Sequence, residues 1–262
     1  MKIQYTIQGL NFTDAADISC PKKLWYTVHM TKERLQKFLA HAGVCSRRAA
    51  ERHIREGRVR LNHEVVREMG VKVDPDQDTV LFDGSPVTNR DAEKKVYIAL
   101  NKPGGYVSSC SHKGDKIVLD LIDIPQRIYP VGRLDKDSQG LILLTNDGFL
   151  HNRLSHPSYD HKKKYIVTTV KPVSDRSLKK LEAGVVIEGE KTRKAETRRI
   201  AKSRFLIVLQ QGRNRQIRKM AESIGNKVKS LKRIEMAGIP LGDLEEGRWR
   251  HLTSREIEIL YK

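Results

Sequence analysis

The stretch "VGRLDKDSQGLILLTNDG", residues 131–148, joins a polar loop to four consecutive aliphatic side chains. The loop carries Arg133 close to two carboxylates, Asp135 and Asp137, and the aliphatic run at 141–144 is typical of a buried strand. Catalytic groups are often held on a loop that a rigid buried strand positions. The residues therefore leave three interpretations open: a metal-binding loop, a catalytic loop, or a polar turn that feeds a strand.

The spacing of the loop does not fit a calcium site. With Asp135 as the first ligand, the third ligand would be Gln139, and the last position holds Asn146 instead of a bidentate glutamate. A two-metal site needs several converging carboxylates, and spacing alone does not bring Asp120 and Asp147 to this loop. We therefore predict no metal site, whereas a catalytic loop and a polar turn remain equally compatible with the composition.

The composition indicates a folded chain that works in a reducing compartment. The chain has 262 residues, 38% of them hydrophobic and 31% charged, which favours two soluble domains over a disordered chain. Its three cysteines (Cys20, Cys45 and Cys110) are too far apart for a disulfide framework or a zinc knuckle. The apolar runs are far shorter than the ~20 residues that span a bilayer. These features predict a cytoplasmic protein without a membrane segment.

The formal net charge of +18 predicts a polyanionic partner. Nucleic acid is the first expectation and an anionic membrane the second. Membrane binding would require a basic amphipathic helix with bulky apolar residues on its other face, and the sequence has no convincing one. We therefore predict a nucleic-acid partner and no membrane partner. Nothing indicates an oligomer, so a monomer is the default expectation.

The chain divides into four segments by its patterns. Residues 1–30 have neither helical nor alternating periodicity, and we expect a poorly ordered extension. Residues 31–90 contain two helix patterns and short alternating stretches, and residues 91–95 are a charged linker. In residues 96–262 strand patterns outnumber helix patterns without regular alternation, which predicts an α+β fold with a mostly antiparallel sheet.

The first unit shows two helices and a hairpin. "ERLQKFLAHAG" places apolar side chains on one helix face, and Ser46 is a good N-cap for a second helix that Gly57 ends. "RVRLNHEVV" alternates around a turn at 62–64. Between residues 31 and 66, nine lysines or arginines stand against four glutamates, a net charge of +5. We therefore predict a surface that contacts RNA phosphates. The candidate RNA-binding residues are Arg34, Lys37, Ser46, Arg47, Arg48, Arg55 and Arg58.

The stretch "RLQKFLAHAGVCSRRAAERHIREGRVRLN" resembles the small RNA-binding domain that is named after a protein of the ribosomal small subunit. The shared pattern is S-R-R-x-A-x-x-x-I-x-x-G-x-V-x-(V/L)-N, and it covers some 30 residues. The resemblance implies that structured RNA, particularly ribosomal RNA, is the ligand. It does not fix the activity, because the same domain occurs in synthetases and assembly factors.

The opening stretch is similar to the signature of the RsuA-type ribosomal RNA pseudouridine synthases, G-R-L-D followed by D-x-x-G-L-(L/I)-(L/I)-(L/F)-T-x-D-G. "LNKPGGYVSS", "KKYIV" and "GRNRQIRKM" resemble three further motifs of that family, in the family's order. The resemblance implies a mostly antiparallel, mixed-sheet catalytic domain and conversion of uridine to pseudouridine in RNA without a cofactor. "KDSQG" looks most like the large-subunit, RluB/RluF-like members, which implies 23S ribosomal RNA or a pre-ribosomal particle as the partner.

The resemblance also implies roles for individual residues. Asp135 matches the catalytic aspartate, and Arg218 its basic partner, which would keep it ionised. Tyr165 matches the tyrosine that stacks on the target uracil and could help to remove its C5 proton. Arg133 would steady the RNA when the uridine is flipped out, and Ile217 would line the pocket. The basic residues of the same region, with phosphate contact as their expected role, are Arg213, Arg215 and Lys219.

Two other functions remain as alternatives. One is a non-catalytic ribosomal-RNA-binding assembly factor that has kept the fold, which the presence of Asp135, Tyr165 and Arg218 disfavours. The other is a metal-dependent RNA hydrolase, which the ligand spacing of the loop disfavours.

Overall fold

The computed structural model describes residues 32–88, 94–112, 114–155 and 159–262. The extension predicted for residues 1–30 lies outside the described residues, as do residues 91–93 of the predicted linker. Among the described residues, none of the helices combines the length and the hydropathy that crossing a bilayer requires.

The N-terminal unit has the predicted two helices followed by a small sheet. Its helices are α1 (Leu35–His41) and α2 (Arg47–Arg55). Its strands are β1 (Glu33–Arg34), β2 (Val59–Leu61), β3 (Glu64–Val66), β4 (Lys72–Val73), β5 (Val80–Phe82) and β6 (Ser85–Val87). Strands β3, β2, β5 and β6 form one antiparallel sheet, and β1 pairs with β4.

Local sequence signals place the ends of these elements. The Ser46 hydroxyl accepts a hydrogen bond from the Ala49 N–H at 3.2 Å, which confirms the predicted N-cap of α2. Gly57 follows α2 with a φ of +74°. The hairpin between β2 and β3 turns through Asn62 and His63, both of which have a positive φ. The core of this unit is built from buried side chains of both helices and the sheet: Leu35, Phe38, Leu39, Ala50, Ile54, Val59, Val73 and Val80.

The larger unit is built on a sheet of nine strands among the described residues. Its strands are β7 (Tyr97–Lys102), β8 (Tyr129–Val131), β9 (Gln139–Thr145), β10 (Lys163–Thr169), β13 (Glu196–Ala201), β14 (Arg204–Leu209), β15 (Val228–Met236), β16 (Ile239–Pro240) and β17 (Trp249–His251). A separate hairpin pairs β11 (Val186–Ile187) with β12 (Glu190–Lys191). The helices are α3 (Gly148–Ser155), α4 (Asp175–Glu182), α5 (Gln216–Glu222), α6 (Ser254–Tyr261) and a 3-10 helix, Val118–Leu121.

The main path of the large sheet runs β13-β14-β10-β15-β9-β7-β17, and β8 and β16 pair with β9 and β15. Every pairing in it is antiparallel except that of β9 with β15, which is parallel. The predicted α+β class with a mostly antiparallel sheet is therefore confirmed.

Both faces of the large sheet are covered, because successive side chains of a strand point to opposite faces. Ile98, Leu100 and Ile142 join a cluster on one face, and Leu141 and Leu143 join a cluster on the other. All five side chains are at most 2% exposed. The continuous aliphatic run of the opening stretch is therefore a central strand buried on both sides.

The structure differs from the sequence patterns at two elements. The basic motif "GRNRQIRKM" is helical only from Gln216, where α5 begins, because Arg215 has the left-handed conformation, with a φ of 50°. Strand β13 carries no apolar alternation in "ETRRIA", and nearly all of its side chains are exposed. It is an edge strand, whose residues need not face the core.

The C-terminal helix α6 is tied to the sheet and to α3. The buried carboxylate of Asp147 accepts hydrogen bonds from the hydroxyls of Tyr97 and Tyr261 and from the first N–H groups of α3. At its other end, α6 begins with a capping box of Thr253 and Glu256. Both guanidinium nitrogens Nη1 and Nη2 of Arg250 donate to Glu256 at 2.7 Å. These hydrogen bonds, first of all that of Arg250, lower the pKa of Glu256 to about 2.

We expect Glu256→Gln to lower the free energy of unfolding by about 1–3 kcal/mol at neutral pH, since it removes a charge-assisted pair and half of a capping box. A carboxylate whose pKa is lowered in the folded state stabilises above its unfolded pKa of about 4.3, and this contribution is lost as the pH falls towards 2. The difference between wild type and variant should therefore shrink below about pH 4.5.

Urea unfolding at a series of pH values measures this difference. Glu258→Gln is the matched control, because Glu258 is exposed on the same helix. A difference between wild type and Glu256→Gln that is constant from pH 7 to pH 3 would contradict the assignment.

Candidate active site

The loop of the opening stretch connects β8 to β9 and folds back on itself. The Ser138 N–H donates to the Asp135 carbonyl oxygen at 3.0 Å, which closes a turn around Lys136 and Asp137. At the end of this turn Gly140 has a φ of +101°, and a Cβ at this position would lie 2.2 Å from the carbonyl oxygen of Arg233. Glycine is therefore required where the loop enters β9 against the main chain of β15.

A buried lysine holds the loop from beneath. Lys102, at the end of β7, is 0% exposed, and its Nζ donates to the carbonyl oxygens of Pro103 at 2.8 Å and of Lys136 at 3.2 Å. Burial lowers the pKa of Lys102 to about 8, although Asp137 and Asp135 act in the opposite direction. The "NKPGG" turn and the "RLDKD" loop are thus joined through one cation.

Asp135 lies in the wall of a small cavity and faces Arg218 from α5. The Arg218 Nε lies 3.8 Å from the Asp135 Oδ2, and its Nη2 lies 3.5 Å from both the Asp137 carbonyl oxygen and the Ser138 hydroxyl. The Arg218 side chain is 13% exposed and that of Asp135 is 31% exposed. Within the described residues the Arg218 Nε has no hydrogen-bond partner. The pair is therefore held by charge, and the carboxylate stays accessible from the cavity.

This active-site pocket has a volume of about 90 Å³. Tyr165, on β10, is 8% exposed and stands opposite Ile207 of β14 and Arg233 of β15. Six of the predicted site residues line the pocket: Arg133, Asp135, Tyr165, Arg213, Arg215 and Ile217. The structure thus brings these six together, and Arg218 joins them through its pairing with Asp135.

Sequence reasoning missed several side chains of the pocket wall. They come from the strands and turns around the predicted residues: Leu134, Ser138, Leu209, Gln211, Gln216 and Leu231. Gln216 could have been predicted as a pocket residue, because it lies within the "GRNRQIR" motif. Leu209 and Leu231 offered none, because only the pairing of β14 and β15 with β10 places them beside Tyr165.

The predicted basic residues near α5 differ in their surroundings. Arg213 pairs with Glu190 at 3.1 Å and Lys219 pairs with Glu188 at 2.6 Å, so the β11–β12 hairpin neutralises both. Arg215 is exposed and makes no ion pair within the described residues. Of these three cations, Arg215 is the one that keeps its charge unopposed.

The candidates of the N-terminal unit lie outside the pocket. Arg34, Arg47, Arg48 and Arg55 are exposed, whereas Lys37 pairs with Glu33 at 3.0 Å. Ser46 caps α2. Arg58 pairs with Asp83, and its guanidinium lies 4.9 Å from the centre of the Phe82 ring. Arg58 therefore braces its own unit.

Within the described residues, no group of three or more histidine, cysteine, aspartate or glutamate side chains is arranged to hold a metal ion.

The chain has a basic N-terminal unit, and its larger sheet holds an acid–arginine pair at a small pocket. This arrangement indicates an enzyme that acts on RNA. The family model described as S4 domain matches residues 33–79, and the one described as RNA pseudouridylate synthase matches residues 96–223.

Curated relatives and a solved structure agree over most of the chain. The ribosomal large subunit pseudouridine synthase B of Bacillus subtilis is 45% identical, over 87% of this chain and 95% of the relative. The dual-specificity RNA pseudouridine synthase RluF of Escherichia coli K12 is 42% identical, over 87% of this chain and 78% of the relative. A crystal structure of a pseudouridylate synthase superposes with a TM-score of 0.64 at 33% identity, covering 87% of this chain and 99% of that one. The chain belongs to the RNA pseudouridine synthase family, which confirms the resemblance found in the sequence and the prediction of an enzyme.

We expect Lys102→Met to slow the reaction at saturating RNA by about tenfold or more, because the loop that carries Asp135 loses its anchor at the Lys136 carbonyl group and small misplacements of reacting groups are costly.

The effect of Lys102→Met on stability should also depend on pH. A lysine whose folded pKa is about 8, below its unfolded value of about 10.4, binds fewer protons in the folded state between these values. The free energy of unfolding of the wild type, relative to that of Lys102→Met, should therefore increase as the pH rises between these two values.

Single-turnover kinetics and urea unfolding between about pH 7.5 and pH 9.5 check both expectations. Lys136→Ala is the control, because it removes an exposed side chain and leaves the carbonyl group that Lys102 binds. Equal rates for wild type and Lys102→Met would contradict the anchoring role.

Proposed function

We propose that this chain converts uridine to pseudouridine at a specific site of large-subunit ribosomal RNA. The observation that carries the proposal is the pairing of Arg218 with Asp135, which lines a pocket together with Tyr165 and Ile217. The large-subunit target is supported by the name of the Bacillus subtilis relative.

Asp135 is proposed as the catalytic residue. In the reaction the glycosidic bond from N1 to the ribose C1′ breaks, the uracil rotates, and a bond forms from C5 to C1′, while the C5 proton leaves and N1 takes one up. Asp135 either attacks C1′ or removes the 2′ proton to give a glycal. Both routes need an ionised carboxylate, and the guanidinium of Arg218 places a positive charge 3.8 Å from it.

Tyr165 and Ile217 are proposed to hold the uracil. Tyr165 lies on a strand that is paired on both sides, so its ring is fixed before the base arrives. The ring would stack on the uracil, and its hydroxyl could help to remove the C5 proton. Ile217 would close the apolar side of the pocket. Arg133, exposed at the rim, would occupy the gap that the flipped nucleotide leaves in the RNA.

The remaining assignments concern RNA binding and organisation. We propose that residues 31–90 form the RNA-binding domain, residues 91–95 the linker and residues 96–262 the catalytic domain, behind an extension at 1–30. Phosphate contacts are proposed for the basic candidates of both domains. The protein would act as a monomer in the cytoplasm on ribosomal RNA or a pre-ribosomal particle, with neither a cofactor nor a membrane partner.

Mapping pseudouridines in ribosomal RNA from cells that lack the gene tests the reaction and its catalytic residue together. We expect one or a few sites to be lost, to return with wild type, and to stay absent with Asp135→Asn. Asp243→Asn is the control, because Asp243 is exposed and does not line the pocket, and it should restore the sites. Activity of the purified enzyme should survive EDTA.

If no site is lost, or if Asp135→Asn restores it, the chain is an RNA-binding assembly factor instead. Loss of activity with EDTA would favour a metal-dependent hydrolase.

A second experiment separates binding from chemistry. The double variant Arg47→Ala/Arg48→Ala should bind ribosomal RNA more weakly and lower the slope of log Kd against log salt concentration by about 1–2, since each lost phosphate contact removes about 0.7–0.9. The rate of a single turnover at saturating RNA should change little.

The double variant Arg176→Ala/Arg255→Ala is the matched control, because it removes the same charge from exposed positions that lie outside α2 and do not line the active-site pocket. A similar change of slope in both variants would show that the effect comes from net charge and not from this surface.

A further inference from the structure

A second cavity, of about 1020 Å³, lies between the S4 domain and the catalytic domain. We call it the interdomain cleft. Its walls come from α1, the start of α2, the turn at 108–110, the segment 127–133 and one side of α3 along its whole length. At one edge the domains approach closely, because a Cβ at Gly148 would lie 3.2 Å from the His41 Nε2. The cleft is therefore bordered by packed elements of both domains.

The cleft is lined by five lysine or arginine side chains and by no aspartate or glutamate. Lys37 is partly neutralised by Glu33, but the four arginines at 47, 48, 127 and 133 make no ion pair within the described residues. The carboxylate of Asp147, next to the cleft, is buried and already accepts hydrogen bonds from two tyrosine hydroxyls. A cavity with this charge selects a polyanion.

An aromatic ring projects into this basic cleft. Phe149, in the first turn of α3, lines the cleft and is 68% exposed, more than any other large hydrophobic residue in the described part of the chain. Its ring stacks on Tyr261, with 6.3 Å between centroids and 9° between planes, and the Tyr261 hydroxyl is bound to Asp147. Its own N–H donates to Asp147 at 2.9 Å. The ring is therefore held in place, while most of its surface faces solvent.

The cleft and the active-site pocket share one wall residue. Arg133 lines both cavities, and it is separated from Asp135 by a single residue. An RNA strand whose target nucleotide enters the pocket would therefore reach the cleft by passing Arg133.

We propose that the interdomain cleft binds unpaired RNA next to the target uridine, with one base stacked on Phe149 and phosphates on the surrounding arginines. The proposal rests on the proposed function and adds a recognition site to it. Arginines along a groove with an exposed aromatic ring are the two components of single-strand binding, because bases stack on the ring while the cations follow the backbone. A fully paired duplex offers no free base face and cannot use the ring.

Binding to ribosomal RNA from cells that lack the gene tests the stacking role. In an Asp135→Asn background, which leaves the RNA unmodified, Phe149→Ala should raise Kd about 5- to 150-fold, the range for loss of one base–aromatic stack. Phe149→Trp should restore binding. The slope of log Kd against log salt concentration should stay at the value of the parent protein, because a stacked base releases no counterions, whereas Arg127→Ala should lower it.

Tyr159→Ala is the matched control, since Tyr159 is 51% exposed and does not line the cleft, and it should leave Kd unchanged. Binding of a fully base-paired RNA duplex should not distinguish Phe149→Ala from the parent. Unchanged Kd in Phe149→Ala, failure of Phe149→Trp to restore binding, or an equal loss on the duplex would each overturn the proposal. Conversion of uridine by wild type is measured in parallel. If wild type forms no pseudouridine, the proposed function fails, whatever the Kd values show.

Discussion

The contact on which the site depends is the approach of Gly140 to the main chain of Arg233. Here β9 pairs in parallel with β15 and joins two parts of the sheet. One part, β7 and β9, carries the loop with Asp135. The other, β15, β10 and β14, carries Tyr165 and packs beneath α5 with Arg218. A side chain at Gly140 would collide with the backbone at 2.2 Å and separate the two parts, and with them the acid from its cation.

Two buried cations lie at the same junction, and Lys102 is compensated more fully than Arg233, whose Nη2 has no hydrogen-bond partner among the described residues. Arg233 is 1% exposed and donates from Nε to the Leu141 carbonyl oxygen at 2.6 Å, while Lys102 binds two carbonyl oxygens beneath the loop. Burying a charge is costly unless hydrogen bonds and opposite charges compensate. Asp135 and Asp137 supply the opposite charge for Lys102. The carboxylates of the loop thus help to balance the cation that anchors it, and loop position and site charge are coupled.

Much of this fold could be predicted from local patterns. The periodic apolar side chains of α1, the Ser46 cap and the aliphatic run of β9 each follow from one stretch of sequence, and each was found where expected. Strand β13 and the pocket wall at Leu209 and Leu231 could not be predicted, because strand pairing between distant segments places them. The roles proposed for Asp135, Tyr165 and Arg218 came from resemblance. The residue types of the loop around Asp135 alone fit a polar turn equally well.

The net charge of +18 was the strongest bulk signal, but it does not show which cations face RNA. The structure separates them by their partners. Arg58, Arg213 and Lys219 each meet a carboxylate and stabilise the fold around it. The arginines at 47, 48, 127 and 133 meet none within the described residues, and all four border the interdomain cleft. A cation without an internal partner keeps its full attraction for phosphate, because binding RNA does not first require an ion pair to break. Four of the cations that make no ion pair thus line a single cleft, which reaches Arg133 beside the catalytic loop.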